Sequence, residues 1–202
     1  LGNGMTVIVK RYPAAPVASV RMHVKAGSIY EQEYAGAGLS HLFEHLLHGG
    51  ATKRRTEKES EALLDRIGAS TNAYTTYNQT VYYMDLPADH TATAIDLLAD
   101  WVTRPTFPEE SVEREWGVVQ RELERGLQEP DRQLWYKFND LRYRVNPTKW
   151  PVIGEQPAVA RITREDILKY YDRMYVPSRV CFVVVGDIDL AKTLEMIKQE
   201  FS

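Results

Sequence analysis

The chain of 202 residues has a single cysteine, Cys181, and no long apolar run. One thiol excludes an internal disulfide framework and any four-cysteine zinc ribbon. The longest apolar stretch, residues 180–185, falls far short of the ~20 residues that cross a bilayer, so no membrane span is expected. Neither sign of charge dominates: 25 Lys and Arg stand against 28 Asp and Glu, for a formal net charge of -3. That balance gives no global attraction to nucleic acid. Repeats, low-complexity tracts and Gly/Ser linkers are also missing, which predicts one domain over residues 1–202. Residue 1 opens no charged-then-apolar signal segment, so a targeting peptide is absent or already removed. A soluble protein is expected, of bacterial periplasm or cytoplasm, with nothing in the sequence to choose between them.

What is present reads as an ordinary globular chain, 44% hydrophobic and 26% charged. Residues 5–9 form an apolar, β-branched run after an Asn3-Gly4 turn. Between residues 17 and 25 the pattern alternates, with Ala18, Val20, Met22 and Val24 on one side and Ser19, Arg21, His23 and Lys25 on the other. Two further strands are predicted at 70–76 and 80–86, and a buried one at 180–185 with Cys181 as a small core hydrophobe. Helices are predicted after Ser40, between a Thr56–Glu59 capping box and Gly68, over 90–103, over 109–127, beyond Pro130, after Thr163, and at the C-terminal end. Strands near one another with helices clustered elsewhere predict an α+β fold, a mostly antiparallel mixed sheet packed against helices. The chain stops directly after its last helix, which reads as a piece of something longer.

The strongest chemical signal is His41-Leu42-Phe43-Glu44-His45. Residues four apart share a helix face, so both imidazoles can reach one ion, and Glu44 flanks that face at the same level. There it is placed to act as general base in zinc-dependent hydrolysis. With 5 His and 17 Glu in the chain, a chance match to the pattern is expected about 0.01 times. His48 lies on the same face, but seven residues climb ~10.5 Å, too far to share an ion with His41. It suits the helix end or the solvent better. Glu115 and Glu122, seven apart on the charged helix, could each supply a third ligand, whereas Glu113 and Glu124 turn away. Helix geometry does not choose between Glu115 and Glu122.

The inverted motif resembles that of the pitrilysin, insulin-degrading enzyme and mitochondrial processing peptidase family, the inverzincins. Gly38-Leu39-Ser40 before it, Gly68 through Asn72-Ala73-Tyr74-Thr75, Val118-Val119-Gln120-Arg121-Glu122, Tyr175-x-Pro177 and residues 183–187 resemble further segments of that family. The resemblance implies one Zn²⁺ per chain held by His41, His45 and Glu122, with Glu44 as general base. It implies that Glu115 steadies the site, that Asn72 holds the substrate backbone, and that the strand around Ala73 pairs with an extended peptide. The substrates implied are peptides or unfolded proteins. The chain departs from the family pattern at Leu47-His48-Gly49-Gly50-Ala51, which alters the helix exit and touches no ligand. It also lacks the homologous second half or partner subunit that such enzymes close around their substrate, so a homodimer is an expected possibility. The competing reading is a non-catalytic partner or assembly subunit of the same fold. A purely structural zinc site is weaker, for want of a fourth protein ligand.

Overall fold

The computed structural model describes residues 1–201. In chain order the elements are β1 (Thr6–Arg11), β2 (Val17–Val24), α1 (Leu39–Leu47), α2 (Glu57–Ile67), β3 (Ser70–Thr75), β4 (Thr80–Pro87), α3 (Thr91–Thr103), α4 (Glu109–Leu127), α5 (Pro130–Arg142), α6 (Gln156–Val159), α7 (Arg164–Met174), β5 (Val180–Gly186) and α8 (Leu190–Phe201). The five strands form one sheet in the order β1-β5-β2-β4-β3. β1 and β5 run parallel, and the other neighbours are antiparallel. The fold is therefore the expected α+β, with a mixed, mostly antiparallel sheet. No helix among the described residues is long and apolar enough to cross a membrane.

Side-chain alternation decides which face of the sheet is covered. In β2 the apolar set Ala18, Val20, Met22 and Val24 is buried, while Ser19, Arg21 and His23 are only half-buried. The same rule corrects the expectation for residues 180–185. Val180, Phe182 and Val184 face the core, but Cys181, Val183 and Val185 are half-exposed, because one face of this strand has no helix over it. Cys181 is thus a partly exposed residue of the outer face. A row of Ile8, Val183, Arg21, Tyr83 and Asn72 crosses that outer face in register.

The inner face carries the core, whose largest fully buried side chains include Trp101, Tyr82, Tyr170, Phe43 and Phe182. α1 is amphipathic about it. Leu42, Phe43, Leu46 and Leu47 are buried, leaving His41, Glu44 and His45 on the opposite side. Burying one aromatic such as Phe43 contributes roughly 2–3 kcal/mol, so the apolar stripe sets how α1 sits. α4 buries Val112, Val119, Leu123 and Gly126 and exposes Glu113 and Glu124, as its spacing predicts. α2 starts at the Thr56–Glu59 capping box and ends at Gly68, whose φ of 60° suits glycine. α5 is different. It turns Leu134, Trp135, Phe138 and Leu141 outward, with Leu134 71% and Leu141 74% exposed.

Candidate metal centre

α1 and α4 pack against each other, and four side chains meet where they do. His41 and His45 project from successive turns of α1 with their ring centroids 4.8 Å apart. Oε2 of Glu122, from α4, lies 3.6 Å from His41 Nε2 and 3.7 Å from His45 Nε2. One donor atom from each of the three residues lies within 4.8 Å of the others. Those separations are too long for hydrogen bonds. Bonds of ~2.1 Å at tetrahedral angles would place donor atoms about 3.4 Å apart, so the spacing suits a shared zinc ion. Two imidazoles and one carboxylate also form a donor set that zinc accepts while keeping a position open for water. Burial, aided by neighbouring His45, pulls the pKa of His41 down to about 4, so its ring is neutral and can ligate.

Tertiary geometry sets the two α4 carboxylates apart. Glu115, two turns before Glu122, reaches the far side of the His45 ring, where its Oε2 lies 3.5 Å from Nδ1. The arrangement is that of a carboxylate orienting a ligand imidazole from behind. Glu115 is itself held, since Arg114 Nε donates to its Oε1 at 3.0 Å and Arg114 Nη2 donates to Glu57 on α2 at 2.7 Å. His41 has no such support, and its Nδ1 is buried without a hydrogen-bond partner among the described residues.

Glu44 lies beside the cluster outside the donor set. Its carboxyl pKa is raised by burial and held back by the Thr75 hydroxyl, which donates to Oε2 at 2.6 Å. Thr75 closes β3, so the strand aims the carboxylate. Sequence reasoning gave Thr75 no role, although it ends the Asn72-Ala73-Tyr74-Thr75 segment that drew attention there. Asn72 and Ala73 sit on β3, one of the two edge strands of the sheet. Asn72 is exposed, Ala73 is buried, and the Ala73 N–H donates to Asn72 Oδ1 at 2.8 Å. His48 stands apart from the cluster. It caps the C-terminal end of α1, lies within 3.1 Å of Thr71 Oγ1 through Nε2, and meets Trp101 edge-on. It is half-buried rather than solvent-facing, because it packs against Thr71 and Trp101.

A further carboxylate near α1 has no signal in the sequence. Glu31, fully buried, accepts from the backbone N–H groups of Gly38 and Ser40. Burial outweighs those bonds and lifts its pKa to about 7. A folded-state pKa above the unfolded value near 4.5 means stability is fully present below about pH 4.5 and is lost as pH rises through 7. Urea unfolding of the wild type minus that of Glu31→Gln should therefore fall by on the order of 3 kcal/mol between pH 4 and pH 8. A pH-independent difference would show that the Glu31 carboxyl titrates alike in the folded and unfolded chain.

A half-buried donor set of the kind zinc accepts thus lies on two helices of an α+β domain, with a free carboxylate alongside. The comparisons with known proteins are more particular. A family model described as "Insulinase (Peptidase family M16)" matches residues 6–156, and one described as "Peptidase M16 inactive domain" matches residues 161–202. The chain belongs to the insulinase family of peptidases. It is 30% identical over 202 residues to an "Uncharacterized zinc protease" of Rickettsia felis, covering all of this chain and 48% of that protein. It is likewise 30% identical to a "Probable mitochondrial-processing peptidase subunit beta, mitochondrial" of Arabidopsis thaliana, covering 38% of it. Among solved structures, a protease from Helicobacter pylori matches with a TM-score of 0.92 at 27% identity, over all of this chain and 48% of that one. The first half of the periplasmic protease PqqL from Escherichia coli matches with a TM-score of 0.85 at 26% identity, over all of this chain and 44% of that one. The chain spans about half the length of these relatives, or less.

Proposed function

We propose that this chain is the zinc-binding domain of a metalloendopeptidase that hydrolyses peptides or small unfolded proteins. One Zn²⁺ per chain would be held by His41, His45 and Glu122. The observation that carries the reading is the convergence of the two Nε2 atoms on Glu122 Oε2 beside the unligated Glu44 carboxylate. When bound, zinc supplies the Lewis acidity that brings the pKa of a water to about 7. Glu44 takes the proton from the attacking water and passes it to the leaving amine. The Thr75 hydroxyl occupies Oε2 and leaves Oε1 free for that transfer. A raised carboxyl pKa brings acid and base forms closer in energy, which suits a proton that is taken and then returned. Glu115 keeps the His45 ring oriented. Asn72 and the edge strand at Ala73 hold an extended substrate by adding it to the sheet. A non-catalytic partner subunit would have no use for a general base braced in this way.

The test is the zinc content of the purified chain. About one zinc per chain is expected. None, even after zinc is supplied, would move the assignment to the non-catalytic subunit. The chain alone should cleave poorly, because transition-state donors from a homologous second half or partner subunit are missing. The outward apolar face of α5 belongs to such a contact, and without it two copies should associate. Sedimentation is expected to show a concentration-dependent dimer that the Leu134→Glu, Phe138→Glu double variant loses. A wild-type chain that stays monomeric at high concentration would refute the α5 contact.

A further inference from the structure

α1 begins without a capping residue of its own. Its N-cap is Gly38, at φ 67°, with no side chain to accept from the first turn. Glycine is required there because a Cβ would lie 2.2 Å from the carbonyl oxygen of Ile153. The usual serine, aspartate or asparagine is thereby excluded, and the first N–H groups of α1 need an acceptor from elsewhere. Glu31 supplies it from seven residues upstream. Its Oε2 takes the Gly38 N–H at 3.2 Å and its Oε1 takes the Ser40 N–H at 2.9 Å. A carboxylate at a helix N-terminus also meets the positive end of the helix dipole.

The loop bearing Glu31 is held so that this side chain points inward. The next residue, Gln32, has φ 52°, a left-handed conformation that a non-glycine residue adopts only when its surroundings impose it. Arg173 of α7 imposes it from outside. Its guanidinium donates to the Glu31 carbonyl at 3.4 Å, to Gln32 Oε1 at 3.1 Å, and to the Glu33 carboxylate at 2.8 and 2.9 Å. α7 holds the other side of the same turn, with the hydroxyls of Tyr170 and Ser40 2.7 Å apart. Ser40 immediately precedes His41.

We infer that Glu31 is a positioning residue for the metal-binding helix, setting the rotation and axial height at which α1 presents His41, Glu44 and His45 to α4. The inference rests on the zinc reading given above. α1 spans only nine residues, so a shift at its first turn is carried directly to His41 within that turn and to His45 one turn on. Glutamine in place of Glu31 keeps the volume but offers one oxygen to two N–H donors, so one of them is left unpaired in the core.

The test is zinc affinity, measured on the full 202-residue chain by competition with a chromophoric chelator. Wild type, Glu31→Gln and Arg173→Met are compared with Leu98→Ala, a core variant on α3 and so outside the loop and both metal helices, used to match the loss of thermal stability. Glu31→Gln should bind zinc about tenfold more weakly, the low end of what outer partners of metal ligands are worth. Arg173→Met, which loosens the loop without touching the carboxylate, should weaken binding less and in the same direction. Leu98→Ala should leave affinity unchanged. Equal affinity in wild type and Glu31→Gln, or an equal loss in Leu98→Ala, would reduce Glu31 to a general stabiliser. Should Glu31→Gln fail to fold, Arg173→Met decides alone against the matched control. Absence of zinc binding by the wild type would overturn the zinc reading itself, a result distinct from any of these.

Discussion

Replacing Glu44 with glutamine is expected to leave zinc bound and to lower peptide turnover by about 10²–10⁴-fold, the usual contribution of a general base. The substitution is nearly isosteric, and Gln Oε1 can still accept from Thr75, so the packing of α1 against β3 should survive. What glutamine cannot do is take a proton from water and return it to the amine. The measurement is kcat on an unstructured peptide, made with whatever second half restores cleavage, alongside zinc content. Turnover near the wild-type value with zinc present would end the assignment of Glu44 as base. Loss of zinc together with turnover would instead make Glu44 a ligand, at odds with its place outside the donor set.

The two α4 carboxylates should separate just as sharply. Glu122→Ala removes the oxygen that both Nε2 atoms face, leaving two imidazoles that hold zinc weakly, so dialysed protein should lose most of its metal. Glu115→Ala removes only the support behind His45 Nδ1 and should cost about 10–100-fold in affinity while zinc still binds stoichiometrically at micromolar metal. Arg114 would then lack one of its two carboxylate partners and keep Glu57. Isothermal titration of the two variants distinguishes them. The reverse order of effects would exchange the roles of Glu115 and Glu122.

Much of this architecture is local in origin and was legible in the sequence. The alternation in β2, the Thr56–Glu59 capping box, the helix start at Thr163 and the spacing of His41, Glu44 and His45 depend on neighbours within a few residues. Burial of the outer face of β5 was misread because an apolar run does not reveal whether one face of the strand or both are covered. His48 was placed correctly at the helix end, yet its contacts with Thr71 and Trp101 come from residues 23 and 53 positions away, which no periodicity encodes.

That two histidines and a glutamate share a helix surface follows from their spacing, because a 3.6-residue turn is a property of backbone geometry alone. Spacing also determined which positions of α4 could answer them. It takes the folded chain to bring Glu122 to both Nε2 atoms and Glu115 behind His45, to set Thr75 against Glu44, and to cap the helix carrying them with Glu31. Each of those three depends on how two segments cross. The angle and height of a crossing are set by the summed packing of side chains such as Phe43, Val119 and Leu123, a many-body quantity with no local signature.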